Sequence, residues 1–90
     1  MNNKIKVYNE NNILEEVEVI DFFQLEEFNH EYILYTKNEV VGNDVVTYVS
    51  IVNEINKGEY QLDAITDPEE EKKVDEKIEK EIDMLMNQEN

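Results

Sequence analysis

At Asp67-Pro68 the chain changes period, and this break constrains the fold more than any other feature. Upstream of it, β-branched and aromatic residues arrive in short alternating runs separated by Asn, Gly and acidic clusters, which is a strand-and-turn pattern. Downstream, Val74, Ile78, Ile82 and Leu85 recur at spacings of four, four and three, which stacks them in one stripe of a 3.6-residue helix. The pattern predicts an α+β fold. An antiparallel meander sheet of about five strands occupies residues 1–66, and an acidic C-terminal helix with a frayed tail occupies residues 67–90 of the same single domain. At 90 residues there is room for one core and none for a two-domain enzyme with an interdomain cleft.

Residues 4–8 alternate, with Ile5 and Val7 on one face, and residues 9–12 form a turn of types that tolerate left-handed backbone. The run 13–25 starts with Val17 and Val19 opposite Glu16 and Glu18. It then shifts phase so that Ile20 and Phe22 take over the apolar side, which calls for a bulge near residues 19–21. The run 31–37 holds Tyr32, Ile33, Leu34 and Tyr35, too apolar for a wet face, and reads as a central strand. Gly42-Asn43 turns the chain into residues 45–53, which are apolar on both sides and expected in the interior. Asn56-Lys57-Gly58 turns it again into a fifth strand carrying Tyr60, Leu62 and Ala64. The aromatics fall in or beside strands and are expected as core or cross-strand pairs, leaving one or two rings exposed on an acidic surface.

From residue 67 onward there are ten acidic residues and four Lys in 24 positions, with no Gly. Asp67 is placed to cap the helix, Pro68 takes its first position, and Glu70 is expected to reach back toward the cap. Glu69, Glu70 and Glu71 lie at the positive end of the helix dipole. Glu69 with Lys73, and Glu76 with Lys80, have i,i+4 spacing on the wet face. The apolar stripe is expected to cover the domain's own sheet. The alternative is that Met84, Leu85 and Met86 extend past the sheet toward a partner or a second copy.

The net charge is −15, from 23 acidic residues against eight Lys and no Arg, yet 40% of residues are hydrophobic. Such a chain folds, but it repels nucleic acid and anionic membranes, whose binding needs Lys or Arg to displace counterions. It attracts basic partners in a salt-dependent way. Without cysteine there are no disulfides, thiol nucleophiles or Cys-held metals. No signal-peptide pattern and no bilayer-length apolar run occur, so a cytoplasmic location is expected.

His30, the only histidine, is expected as a surface turn residue. Ser50, the only serine, sits among valines, so no nucleophile motif accompanies it. The acidic clusters Glu15, Glu16, Glu18, Asp21 and Glu69, Glu70, Glu71, Asp75 lack the alternating ligands and turn glycine of a calcium loop. They read as solvated charge. No phosphate cradle is present, since Gly42 and Gly58 stand apart. The expectation is no enzyme, no cofactor and no metal.

The run Glu16-Val17-Glu18-Val19-Ile20-Asp21-Phe22-Phe23, then Leu25 and Glu31-Tyr32-Ile33-Leu34, resembles the small acidic bacterial family catalogued as domain of unknown function 1292. Leu62-Asp63-Ala64-Ile65-Thr66-Asp67-Pro68-Glu69-Glu70 is similar to that family's strand and acidic segment. The resemblance spans roughly residues 5–71. Where its members often carry a large aromatic after the acidic segment, this chain has Glu71-Lys72-Lys73 and a longer helix. The resemblance implies the same fold and a bacterial source, and it transfers no catalytic residue. A phage origin is equally compatible with the composition.

The functional expectation is a noncatalytic acidic protein that binds a basic protein or ribonucleoprotein through an exposed sheet edge, an aromatic patch or the helix. Candidate partner-binding residues are Glu69, Glu70, Asp75, Glu76, Met84 and Met86. The alternative is a nucleic-acid mimic that occupies the basic groove of a polymerase or nuclease with acids spaced along residues 69–83. A homodimer through the sheet edge or the methionines is a further possibility, opposed by the charge.

Overall fold

A computed structural model describes the backbone of residues 3–87 and the side chains of residues 3–80. Five strands, β1 (Lys4–Tyr8), β2 (Leu14–Leu25), β3 (His30–Val41), β4 (Asp44–Asn56) and β5 (Glu59–Asp63), precede one helix, α1 (Pro68–Asn87). A single 3-10 turn (Glu26–Phe28) joins β2 to β3. Consecutive strands pair antiparallel, as the short turns require. The α+β meander with a C-terminal helix is the observed fold.

The meander closes on itself, which the sequence pattern did not announce. Five strands of alternating direction leave the first and last running the same way, so the seam is a parallel pair, Val7 opposite Tyr60 and Tyr8 opposite Gln61. The Gln61 amide donates to the Asn9 carbonyl at 3.0 Å and ties the seam to the β1–β2 turn. In that turn the Asn9 side chain accepts the amides of Asn11 and Ile13, and Asn12 takes the left-handed conformation. Closure removes the free edge of an open sheet. Edges survive where β2 runs on past the start of β1, beyond Val19, and where β3 and β4 run on past their neighbours as a two-stranded ribbon.

Two apolar clusters result. Val7, Val17, Ile33, Tyr35, Val52 and Leu62 fill the barrel, with Ile5, Val19, Tyr48 and Tyr60 packed against them. Phe23, Tyr32, Ile51 and Val74 form the second, with Leu25, Val49, Ile65 and Ile78 at its margin. This second cluster lies between the outer barrel face and α1. It is the self-covering arrangement of the helix stripe, shown by Val74 at 0% exposure. The side chains of Ile82, Met84, Leu85 and Met86 lie outside the described residues.

The bulge on β2 links the two clusters. Val19 faces Tyr35 and Asp21 faces Leu34, so Ile20 is the extra residue. Beyond it Phe22 sits opposite Ile33 and Phe23 opposite Tyr32, and cross-strand partners share a face. Phe22 therefore follows Val17 and Val19 onto the barrel side, as the phase shift implied, and Phe23 turns outward beneath α1. The expectation needs one correction: Ile20 and Phe22 stay half exposed at the barrel end, while Phe23 is the buried ring. A second correction concerns β4, which was expected to be interior throughout. Only Ser50, Ile51 and Val52 are buried, since β5 pairs with β4 only from Ile51 onward and the strand before Val49 lies beyond the second cluster.

Candidate functional site

Three residues from distant parts of the sequence meet where α1 begins. Asp67 caps the helix, its carboxylate accepting the Glu69 amide at 3.0 Å and its carbonyl the Glu71 amide at 2.9 Å. Glu70 does not reach back to the cap as expected. The first turn points it at the barrel, where its Oε2 accepts the Tyr32 hydroxyl and lies 2.6 Å from His30 Nδ1. Its residue is 4% exposed.

Burial pulls the Glu70 carboxyl upward, but the hydrogen bonds from His30 and Tyr32 outweigh it and hold its pKa below the ordinary value. An ionised carboxylate only accepts, so His30 Nδ1–H is the donor. Burial, then the hydrogen bond to Glu70, keep the Tyr32 phenol neutral well above its usual range. Among the described residues no buried side-chain polar atom lacks a partner. His30 opens β3 just after the turn and keeps its side chain 41% exposed, the surface position expected, and in addition it joins β3 to α1 and stands edge-on to Tyr32.

The same histidine borders a depression of about 450 Å³ at the barrel end, walled by Phe22, Asn29, Glu31, Val52, Asn53, Glu54 and Tyr60. A second depression, of about 610 Å³, lies across Phe22 and is bordered by Lys4, Ile5, Ile20 and Asp21. Phe22 is the wall between them and remains 48% exposed. Glu31 accepts from Gln24 at 3.3 Å, and Asn53 donates to Asp63 at 2.9 Å. An apolar ring flanked by Asp21, Glu31 and Glu54 suits a cationic surface that also offers an apolar side chain. The histidine–carboxylate pair has no serine, cysteine or lysine beside it in that lining. Ser50 is turned elsewhere, with its Oγ 3.3 Å from the Tyr35 hydroxyl.

The helix residues singled out from sequence separate. Glu69, Asp75 and Glu76 are exposed, whereas Glu70 is enclosed and spent on internal bonds, so it is withdrawn as a surface candidate. Asp75 borders a different groove, of about 310 Å³, with Glu10, Glu71 and Tyr48. Met84 and Met86 are helical, but their side chains lie outside the described residues. Neither expected pair, Glu69–Lys73 or Glu76–Lys80, reaches ion-pair distance among the described residues, where solvent screening leaves little to gain. No group of three or more metal-ligating side chains occurs among the described residues, and no helix there is long and apolar enough to cross a membrane.

Phe22 carried one signal in the sequence. Neighbouring rings on a strand point to opposite faces, so Phe22-Phe23 guarantees one of them a different fate from the other. The His30–Glu70–Tyr32 contact carried none, because 38 and 40 residues separate its partners. No family model, curated protein or solved structure matches the chain.

Proposed function

We propose that this protein is a noncatalytic docking module for a basic macromolecular partner, with Phe22 as the apolar anchor and Asp21, Glu31 and Glu54 as its acidic surround. The observation that carries the reading is a half-exposed phenylalanine between two depressions on a chain of charge −15. The acidic field accelerates encounter, and the ring supplies affinity once water is expelled around it. A cytoplasmic setting, and membership of the small acidic family the sequence resembles, belong to the same proposal.

The probe is a pair of Lys/Arg-rich peptides, one containing a central Leu and one without it, titrated against wild type and Phe22→Ala. Wild type is expected to bind the Leu peptide more tightly, with affinity falling steeply from roughly 0.05 to 0.2 M salt, and Phe22→Ala is expected to lose about tenfold on that peptide alone. Equal binding by the two proteins, or affinity flat across salt, overturns the proposal.

The exposed acids of α1 favour the second reading, nucleic-acid mimicry. Lys72, Lys73, Lys77 and Lys80 interrupt that row. Competition between duplex DNA and this chain for one basic protein separates the two readings, because a mimic is displaced by DNA and a Phe22-centred contact is not.

A further inference from the structure

Towards opposite ends of β3 the chain sets carboxylates beside aromatic rings, and at only one of them does it supply a lysine. At the base of the ribbon, Lys37 Nζ lies 3.3 Å from the Glu15 carboxylate and 5.1 Å from the centre of the Tyr48 ring. Acid, ring and cation are all internal there. At the other end, Glu31 and Glu54 line the depression of about 450 Å³ together with the rings of Phe22 and Tyr60. No lysine lines it, and the chain has no arginine to offer. The only basic side chain in the lining, His30, has its Nδ1 on Glu70 at 2.6 Å.

The acceptors of this depression are only partly used. Glu31 accepts from Gln24 through Oε1, and Glu54 accepts the Gly58 amide through Oε2 at 3.4 Å. Among the described residues, Glu31 Oε2 and Glu54 Oε1 have no hydrogen-bond partner, and neither residue forms an ion pair. Asn53 donates its Nδ2 to Asp63, which leaves its side-chain oxygen as a further acceptor. An acceptor-rich hollow with rings in its wall wants a donor-rich cation.

We infer that this depression takes an arginine side chain of the basic partner, its guanidinium against Phe22 and its N–H groups shared between Glu31 and Glu54. The inference rests on the docking reading and names the residue type that the site selects. A guanidinium is planar and weakly hydrated, so it stacks on a ring at little cost in lost water. Its donors form a rigid fork that serves carboxylates on two neighbouring strands, β3 and β4, at once. A lysine ammonium is a compact, strongly hydrated charge, suited to a single carboxylate as Lys37 is to Glu15. Charge also sorts the two sides of Phe22. Lys4 borders the depression of about 610 Å³ with Ile5 and Ile20, so that side repels a second cation and receives the partner's apolar side chain.

Two peptides that share a central Leu, one with arginine and one with lysine at every basic position, test this against the full chain at roughly 0.05 M salt. Wild type is expected to bind the arginine peptide at least about fivefold more tightly. The double variant Glu31→Gln/Glu54→Gln, checked for its fold by circular dichroism, is expected to shrink that preference to less than about twofold. Glu69→Gln/Glu76→Gln removes the same charge from exposed positions on α1 and is expected to weaken both peptides alike, with the preference kept. Equal affinity of wild type for the two peptides, a preference that survives in the first variant, or one lost equally in the second each overturn the inference. Any of these leaves the Leu and salt dependence of docking where it stood. A wild type indifferent to the Leu or to salt overturns the docking reading and the inference with it.

Discussion

The near and far halves of β3 and β4 are built from similar residues and end in opposite environments. Near α1, Tyr32, Ile33, Ile51 and Val52 are buried, with barrel packing on one face and the helix on the other. A few residues further along the same strands, Val40, Val41 and Val45 stand in solvent. The Tyr32 hydroxyl is satisfied by Glu70 from a helix 38 residues away, while the outward backbone groups of Val45 and Thr47 have no strand beside them. The difference teaches that apolar content does not set burial in so small a domain. What decides it is how far β2, β5 and α1 reach along the two longest-paired strands, and all three stop short of the ribbon.

Substitution at matched positions in the two halves gives the widest contrast. Ile33→Ala opens a cavity in the barrel and is expected to cost about 2–5 kcal/mol in urea unfolding. Val41→Ala at the ribbon tip is expected to stay within about 0.5 kcal/mol. Comparable losses at both sites would mean that the ribbon is covered in the free chain.

The polar contact at the helix start sharpens the same comparison at smaller scale. Glu70→Gln weakens two charge-assisted bonds in the covered half and is expected to cost about 1–3 kcal/mol at neutral pH. Because the folded pKa of Glu70 lies below its ordinary value of 4.5, its contribution is full above that value and is lost as pH falls through the folded one. The stability gap between wild type and Glu70→Gln should therefore close on acidification below about 4.5. A gap that ignores pH would show that the carboxylate charge does not hold α1.

The smallest effect is expected at the base of the ribbon. There Lys37 lies 3.3 Å from Glu15 and 5.1 Å from the centre of the Tyr48 ring. Burial draws the lysine pKa down, but the Glu15 carboxylate outweighs it and leaves the lysine raised. Lys37→Ala is expected to cost about 0.2–1 kcal/mol in thermal unfolding, and less as salt is added. A larger loss would mark the base of the ribbon as part of the covered half.

Much of the architecture was legible because it is written in local terms. The Asn-rich turn after β1, the slip at Ile20, the aspartate cap and the Val74–Ile78 stripe each depend on residues a few positions apart. The candidate site was legible only in outline. The acidic field and an exposed ring were expected, but which ring was exposed depended on where the barrel ends. Glu70 looked like a solvated or capping acid, since nothing within a turn of it names Tyr32 and His30.

The sequence by itself determined the α+β order of elements, the turns, the bulge and the acidic charge, because periodicity, backbone preference and ionisation act over a few residues. Only the tertiary structure decided that the meander closes with a parallel seam, that Glu70 is enclosed, and that the ribbon is bare. Those outcomes depend on strand direction summed around the ring and on the relative lengths of strands and helix, which bring together residues separated by tens of positions.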